Sequence, residues 1–229
     1  MPLHEPTIVG QAEPTQRHTQ LAEAVEALLE ESSPRFLIDH CHRSFELAML
    51  IAHARGIELD VEVLFAGVLL HDLGLTPTFH SSEVRFEVAG ANAARDLLRA
   101  EGMDPARAEK VWDVIALHTT GGIADFKSPE ASVGSEAIGT DVTGLGLERF
   151  DPVDIARIMA TRPGFAEPFI HAIVTDLQDK PQVASSTWMT TIAADHIQGF
   201  HQHSGEELAL RNSFEKQRPR STRTGRSLG

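Results

Sequence analysis

Apolar residues recur along the chain with the spacing of amphipathic helices, whereas the alternation typical of strands hardly appears. In the first such segment, Leu21, Val25 and Leu28 lie on one side of a helix that we predict over residues 15–31. Residues 60–72 form an almost continuous apolar run, which is long for a strand and therefore predicts a buried helix. The other predicted helices cover residues 35–55, most of 82–102, three segments that begin at Pro105, Pro129 and Pro152, and residues 164–178 and 187–203.

The starts of three predicted helices carry a recognisable signal. Asp104, Ser128 and Asp151 each precede a proline. A side-chain oxygen at this position can cap the helix, and proline lacks the N–H that the first helical position would leave unpaired. The elements together predict an all-α fold of eight or nine helices.

The composition predicts one globular domain. The chain has 229 residues, of which 41% are hydrophobic and 23% charged. This balance is typical of folded domains. We place the domain at residues 15–205, between a flexible N-terminal arm (1–14) and a flexible basic C-terminal tail (206–229). The net charge of −13 argues against nucleic acid as the main partner, although the basic tail leaves a nucleic-acid arm as a lesser alternative.

Features of secreted and membrane proteins are missing from the sequence. No run reaches the ~18 apolar residues that a membrane helix needs, and the N-terminus does not resemble a signal peptide. A single cysteine excludes an internal disulfide. We therefore expect a cytoplasmic protein that has no membrane partner. A homodimer or higher homo-oligomer is a reasonable expectation at this size.

The pair His71-Asp72 follows the most apolar helix and is the first candidate for chemistry. Placing these polar groups after VLFAGVLL is costly unless something satisfies them, and Gly74 lets the chain turn sharply there. A polar pair is nevertheless common at the end of a helix. His40 and Arg43 share a helix face thirty residues earlier, and Asp141 follows a predicted helix much later.

Two histidines and two aspartates form a mixed nitrogen and oxygen ligand set, which suits zinc, iron, manganese or cobalt. The segments DHCHRSFELA, LLHDLGLT, ALHTT and GTDVTG stand in the order of the motifs of the HD-domain metallohydrolase superfamily. The chain resembles that superfamily over about residues 35–145. It is most similar to the cyanamide-hydratase-like branch, through HxxRS at 40–44, HDLGLT at 71–76, RFEVAGANAA at 85–94 and IALHT at 115–119.

The resemblance implies an HD-domain helical bundle that holds a divalent transition metal, zinc or iron above all, with manganese as a further possibility. It implies four metal ligands: His40, His71, Asp72 and Asp141. Asp72 would also accept a proton from the metal-activated water. Leu75 stands where many phosphohydrolases of the superfamily have a lysine, and this departure favours a small uncharged substrate.

Four more residues are candidates for catalysis or for orienting the substrate. His118 either caps a helix C-terminus, where the dipole favours its charge, or acts as a base, a proton donor, a substrate-orienting group or a ligand for a second metal. Arg43 either binds a phosphate or pairs with an acid. Arg85 and Glu87 pair with each other at the surface or contact substrate.

Three functions therefore stay open. The first is a metal-dependent hydrolase or hydratase that adds water to a small nitrogen-containing molecule of the cyanamide, isocyanide or nitrile type. The second is a phosphohydrolase of a nucleotide or another phosphoester. The third is a metal-bearing, ligand-binding domain without turnover, which the complete ligand set disfavours.

Overall fold

The computed structural model describes residues 16–184, 187–202 and 207, and within them it contains nine α-helices and no strand. The predicted all-α fold is therefore confirmed. The predicted arm at 1–14 and, apart from Glu207, the predicted tail at 206–229 lie outside the described residues. The helices are α1 (Gln16–Ser32), α2 (Arg35–Arg55), α3 (Val61–Leu69), α4 (Phe86–Ala100), α5 (Pro105–Leu117), α6 (Pro129–Thr143), α7 (Pro152–Ile158), α8 (Ala166–Gln178) and α9 (Met189–His196).

None of the described helices combines the length and the apolar character needed to cross a membrane.

Side-chain caps start the helices where the sequence predicts them. The carboxylate of Asp104 accepts from the amides of Ala106 and Arg107 at the start of α5, and that of Asp151 accepts from the amide of Val153 at the start of α7. The hydroxyl of Ser128 accepts from the first turn of α6. Each cap satisfies N–H groups that have no partner inside the helix.

Two helices end earlier than the sequence predicts. Helix α3 stops at Leu69 rather than at residue 72, because the Nδ1–H of His71 donates to the carbonyl of Val68 at 2.7 Å and a short 3-10 turn, Leu73–Leu75, follows. Helix α9 stops at His196 rather than at residue 203. The next residue is extended, and Gly199 has a φ of 78°, a left-handed conformation that ends helices.

The helices pack around three buried clusters. The first cluster contains residues from each of the helices α1, α2, α3, α4 and α5. The second lies between α2, α3, α5, α6 and α7. In the third, Leu37 of α2 and Phe86 of α4 pack against Phe169, Ile173 and Leu177 of α8 and against α9. The turn after α3 lies where these clusters meet, so the pair at 71–72 is held from several sides.

Gly74 is required by close packing rather than by a left-handed turn, since it is not among the described glycines with a positive φ. A Cβ atom at this position would lie 2.0 Å from the carbonyl oxygen of Phe86. The backbone of the turn after α3 therefore contacts the backbone at the start of α4 directly. This contact fixes the turn that carries His71 and Asp72.

Gly74→Ala should lower the free energy of unfolding by about 1–3 kcal/mol, because the backbone has to move to admit a methyl group. Gly139→Ala in α6 is the matched control. A Cβ there meets nothing within 4 Å, so we expect no loss, or a gain of up to about 1 kcal/mol from the better helix former. Urea denaturation of both variants tests this, and equal stabilities would contradict the packing argument.

Candidate metal centre

Three side chains meet at a buried point between α2 and the turn after α3. His40 comes from α2, and His71 and Asp72 come from the turn. One ligand atom from each lies within 4.8 Å of the others, and the three residues are at most 3% exposed. Three ligands from protein with room for water resemble the open coordination of a catalytic metal site.

The orientation of each imidazole follows from its outer hydrogen bond. His40 donates through Nδ1–H to Oδ2 of Asp141 at 2.6 Å, and His71 donates through Nδ1–H to the carbonyl of Val68. Carbonyl and carboxylate oxygens can only accept, so the proton of each neutral ring lies on Nδ1. The two Nε2 atoms face each other at 3.1 Å, and each presents an electron pair.

The carboxylate of Asp72 adds a third electron pair to the same point. Its Oδ2 lies 3.3 Å from Nε2 of His71 and 3.7 Å from Nε2 of His40. This buried oxygen accepts no hydrogen bond from any described residue. A buried acceptor without a partner is costly, and one proton between the imidazoles would not satisfy it. A divalent cation would satisfy all three atoms, so the residues present fit a metal.

The pKa shifts of Asp72 and His40 agree with this arrangement, whereas that of His71 runs the other way. Burial would raise the pKa of Asp72, but the surrounding histidines, His71 first, hold the pKa well below its ordinary value. Burial lowers the pKa of His40 against the opposing effect of Asp141. An ionised carboxylate and a neutral imidazole are the forms that bind a metal. Burial would lower the pKa of His71, but the carboxylate of Asp72 raises it well above its ordinary value, so metal binding would release the proton of His71.

Asp141 lies beside His40 and outside the group of three. It belongs to the last turn of α6, rather than following that helix as predicted. Its oxygens accept from Nδ1 of His40 and, at 2.8 Å each, from Nε and Nη2 of Arg43. A carboxylate behind a ligating imidazole orients the ring and makes it a stronger ligand. Direct ligation by Asp141 stays a prediction.

Arg43 occupies the position that the pairing interpretation predicts. Its side chain is 2% exposed, forms a two-bond pair with Asp141 and also donates to the hydroxyl of Thr161. These bonds commit the guanidinium to holding α2 and α6 together behind His40. A catalytic role of Arg43 itself is left as a prediction.

Asp141→Asn should weaken metal binding by about 10- to 100-fold, the range found when the outer partner of a ligating histidine is removed. Competition with a chelator of known affinity measures the change. Glu136→Gln on the same helix is the control, because Glu136 pairs with Arg55 and Arg149 away from the centre. An affinity equal to that of the unmodified protein would show that Asp141 neither binds the metal nor orients His40.

His118 stands next to the three candidate ligands. Its Nδ1–H donates to the carbonyl of Ile115 at 2.7 Å, and its Nε2 lies 3.9 Å from Oδ1 of Asp72. Burial lowers the pKa of His118 to about 4, so the ring is neutral near pH 7. A neutral ring with this tautomer presents an acceptor at Nε2. The geometry therefore fits a base or a further ligand better than a helix cap that carries charge.

Glu87 and Arg85 pair with each other at the edge of the centre. The guanidinium of Arg85 donates to both oxygens of Glu87 and, at 2.9 Å, to the hydroxyl of Thr119. That hydroxyl donates in turn to Glu87 at 2.5 Å. The pairing of Arg85 with Glu87 considered from the sequence is confirmed, but its placement at the surface is wrong because Glu87 is fully buried. A catalytic role for Glu87 stays a prediction.

A cavity of about 330 Å³ opens beside the candidate ligands. Its polar side includes His40, His71, Asp72, His118 and Thr119. The sequence did not point to the residues of its other walls, which come from α4, α6, α8 and the residue before α9 and are mostly apolar or small. They include Phe86, Ser135, Ile138, Gly139, Val142, Phe169 and Trp188.

The family model described as HD domain matches residues 37–160, more than half of the chain. The matched segment contains all four predicted metal ligands: His40, His71, Asp72 and Asp141. A search among curated proteins found no match. On its matched segment and its helical fold, the chain belongs to the HD-domain family, which is typical of metal-dependent hydrolases.

Proposed function

We propose that the protein catalyses the metal-dependent addition of water to an uncharged, nitrogen-containing small molecule, such as a nitrile, a cyanamide or an isocyanide. The observation that carries the proposal is the cavity beside the metal centre. Among the described residues that line it there is no arginine and no lysine. The resemblance to the cyanamide-hydratase-like branch supports the same substrate type.

A phosphoester fits this cavity poorly. Phosphate oxygens are anionic and are usually bound by arginine, lysine or a row of backbone amides. Arg43 is buried and paired with Asp141, and Arg85 is paired with Glu87. Leu75 stands where many phosphohydrolases of the superfamily have a lysine. Each of these positions lacks a free cationic donor for a phosphate.

The proposed metal ligands are His40, His71 and Asp72, with Asp141 either as a fourth ligand or as the partner that orients His40. When bound, a divalent ion supplies Lewis acidity, which lowers the pKa of a water molecule from about 16 towards about 7. The mixed nitrogen and oxygen ligands suit zinc, iron(II) or manganese.

His118 moves the proton in the proposed reaction. Because its Nδ1–H is held by Ile115, its Nε2 can accept a proton from the attacking water and then return that proton to the substrate nitrogen. For a nitrile or a cyanamide, one O–H bond breaks, one C–O bond forms, and one carbon–nitrogen π bond is replaced by an N–H bond. For an isocyanide, the returned proton instead forms a C–H bond at the attacked carbon. Tautomerisation then gives an amide from a nitrile, or urea from cyanamide. Asp72 is the second candidate acceptor for the proton.

Thr119 orients the substrate in this scheme. Its hydroxyl lines the cavity, and its proton is committed to Glu87 while Arg85 donates to its oxygen. The remaining electron pair of the oxygen can accept an N–H of the substrate. Glu87 and Arg85 therefore act through Thr119, as positioning residues.

The test is a parallel assay of the protein reconstituted with zinc, iron(II) or manganese. Cyanamide, acetonitrile and an alkyl isocyanide are assayed for amide or urea products, and p-nitrophenyl phosphate is assayed for phosphate release. The proposal expects hydration of at least one nitrogen compound and no phosphate release. Phosphate release alone would assign the protein to the phosphohydrolases, and a metal-loaded protein inactive on every compound would favour a ligand-binding role.

A further inference from the structure

We propose that the substrate carries an apolar, ring-sized group attached to its reacting group, and that Gly139 leaves the space for that apolar group. The inference takes the reacting group from the proposed function, and it takes the rest from the cavity. A volume of about 330 Å³ is roughly ten times the ~30 Å³ share of one water molecule in the liquid. A molecule as small as cyanamide would leave most of this space unfilled.

The chemistry of the walls indicates what fills the remaining space. Apart from the histidines, Asp72 and Thr119, the residues that bound the cavity include the aromatic Phe86, Phe169 and Trp188 and the aliphatic Ile138 and Val142. Trp188 stays 37% exposed although it lines the cavity. Burial of apolar surface against such walls is favourable in proportion to the area covered. Aromatic and aliphatic walls therefore select an apolar body rather than a second polar group.

Gly139 has no packing role in α6 that explains it. Glycine inside a helix is less favourable than alanine by about 1 kcal/mol, and at Gly67 close contact with Val114 accounts for it. At Gly139 a Cβ atom would meet nothing within 4 Å, and the residue lines the cavity. We therefore explain the glycine at position 139 by the space that it leaves for a ligand in the cavity.

The test compares the binding of phenylurea and urea, the hydration products of phenylcyanamide and cyanamide, in NMR titrations of the full chain. We expect phenylurea to bind the unmodified protein at least about 10-fold more tightly than urea, because the phenyl ring is buried. Gly139→Leu should remove this preference and leave urea binding unchanged. Ser132→Leu is the control, since Ser132 lies on the same helix and does not line the cavity.

Equal binding of both ureas to the unmodified protein would overturn the inference, and so would a folded Gly139→Leu protein that keeps its preference for phenylurea. If the leucine variant does not fold, Gly139→Ala should weaken phenylurea binding about threefold. An unchanged dissociation constant for phenylurea would contradict the inference. The titration needs no turnover. A phenyl preference without hydration of any nitrile or cyanamide would therefore reject the proposed reaction alone.

Discussion

Replacing His71 with alanine or Asp72 with asparagine should reduce the metal content from about one ion per chain to background. His71→Ala removes one of three electron-pair donors that converge on one point, and Asp72→Asn removes the negative charge and one of the two oxygens of another. Loss of an outer partner costs 10- to 100-fold in affinity, so loss of a ligand should cost more than about 100-fold. Elemental analysis after dialysis measures the content, and activity should disappear with the metal.

The exposed His53 of α2 provides the control, because His53→Ala changes the same residue type away from the centre. Thermal unfolding gives a second measurement. Added metal should raise the melting temperature of the unmodified protein and of His53→Ala, and it should leave that of the His71 and Asp72 variants unchanged. A His71→Ala protein that retains one ion per chain would show that the metal lies elsewhere.

Lys180→Met should lower the free energy of unfolding by about 3–5 kcal/mol, the usual cost of removing one partner from a buried ion pair. The ammonium of Lys180 is fully buried, 2.7 Å from the carboxylate of Asp176. It also donates to the carbonyls of Ser81 and Val84. Without it, two carbonyl oxygens lose their donor, and the buried carboxylate keeps only the half-buried His80, whose Nδ1 lies 3.1 Å from its Oδ1.

Two comparisons make the Lys180 result specific when the variants are unfolded in urea. In Lys180→Met/Asp176→Leu no buried charge is left unpaired, so part of the stability should return. Arg55→Met removes an exposed pair with Glu136 and should cost less than about 1 kcal/mol. The explanation would fail if Lys180→Met were no more harmful than Arg55→Met.

The helices could be predicted from the sequence because apolar spacing and capping residues act locally. The errors lie where a side chain or a glycine changes the path of the backbone. The imidazole of His71 takes the carbonyl of Val68 and so ends α3 before the predicted residue. The apolar pattern of residues 60–72 contains no signal for this hydrogen bond.

Proximity in the centre was only partly predictable. The motif spacing brings His40, His71 and Asp72 together, as the ligand prediction requires. Which nitrogen of His40 faces inward depends on Asp141, a residue 101 positions away that becomes a neighbour only through the packing of α2 on α6. The local sequence does not predict that Phe169 and Trp188 line the cavity, because they reach it through the long-range packing of α8 and α9.

Part of the cavity wall lies beyond residue 160, where the family match ends. A chain shortened to the matched segment would keep all four predicted ligands, yet it would expose the sides of Leu37 and Phe86 that α8 and α9 cover. It would also lack Lys180, which holds the loop before Phe86. The segment that identifies the family is therefore shorter than the smallest piece of this chain that we expect to fold and bind its ligand.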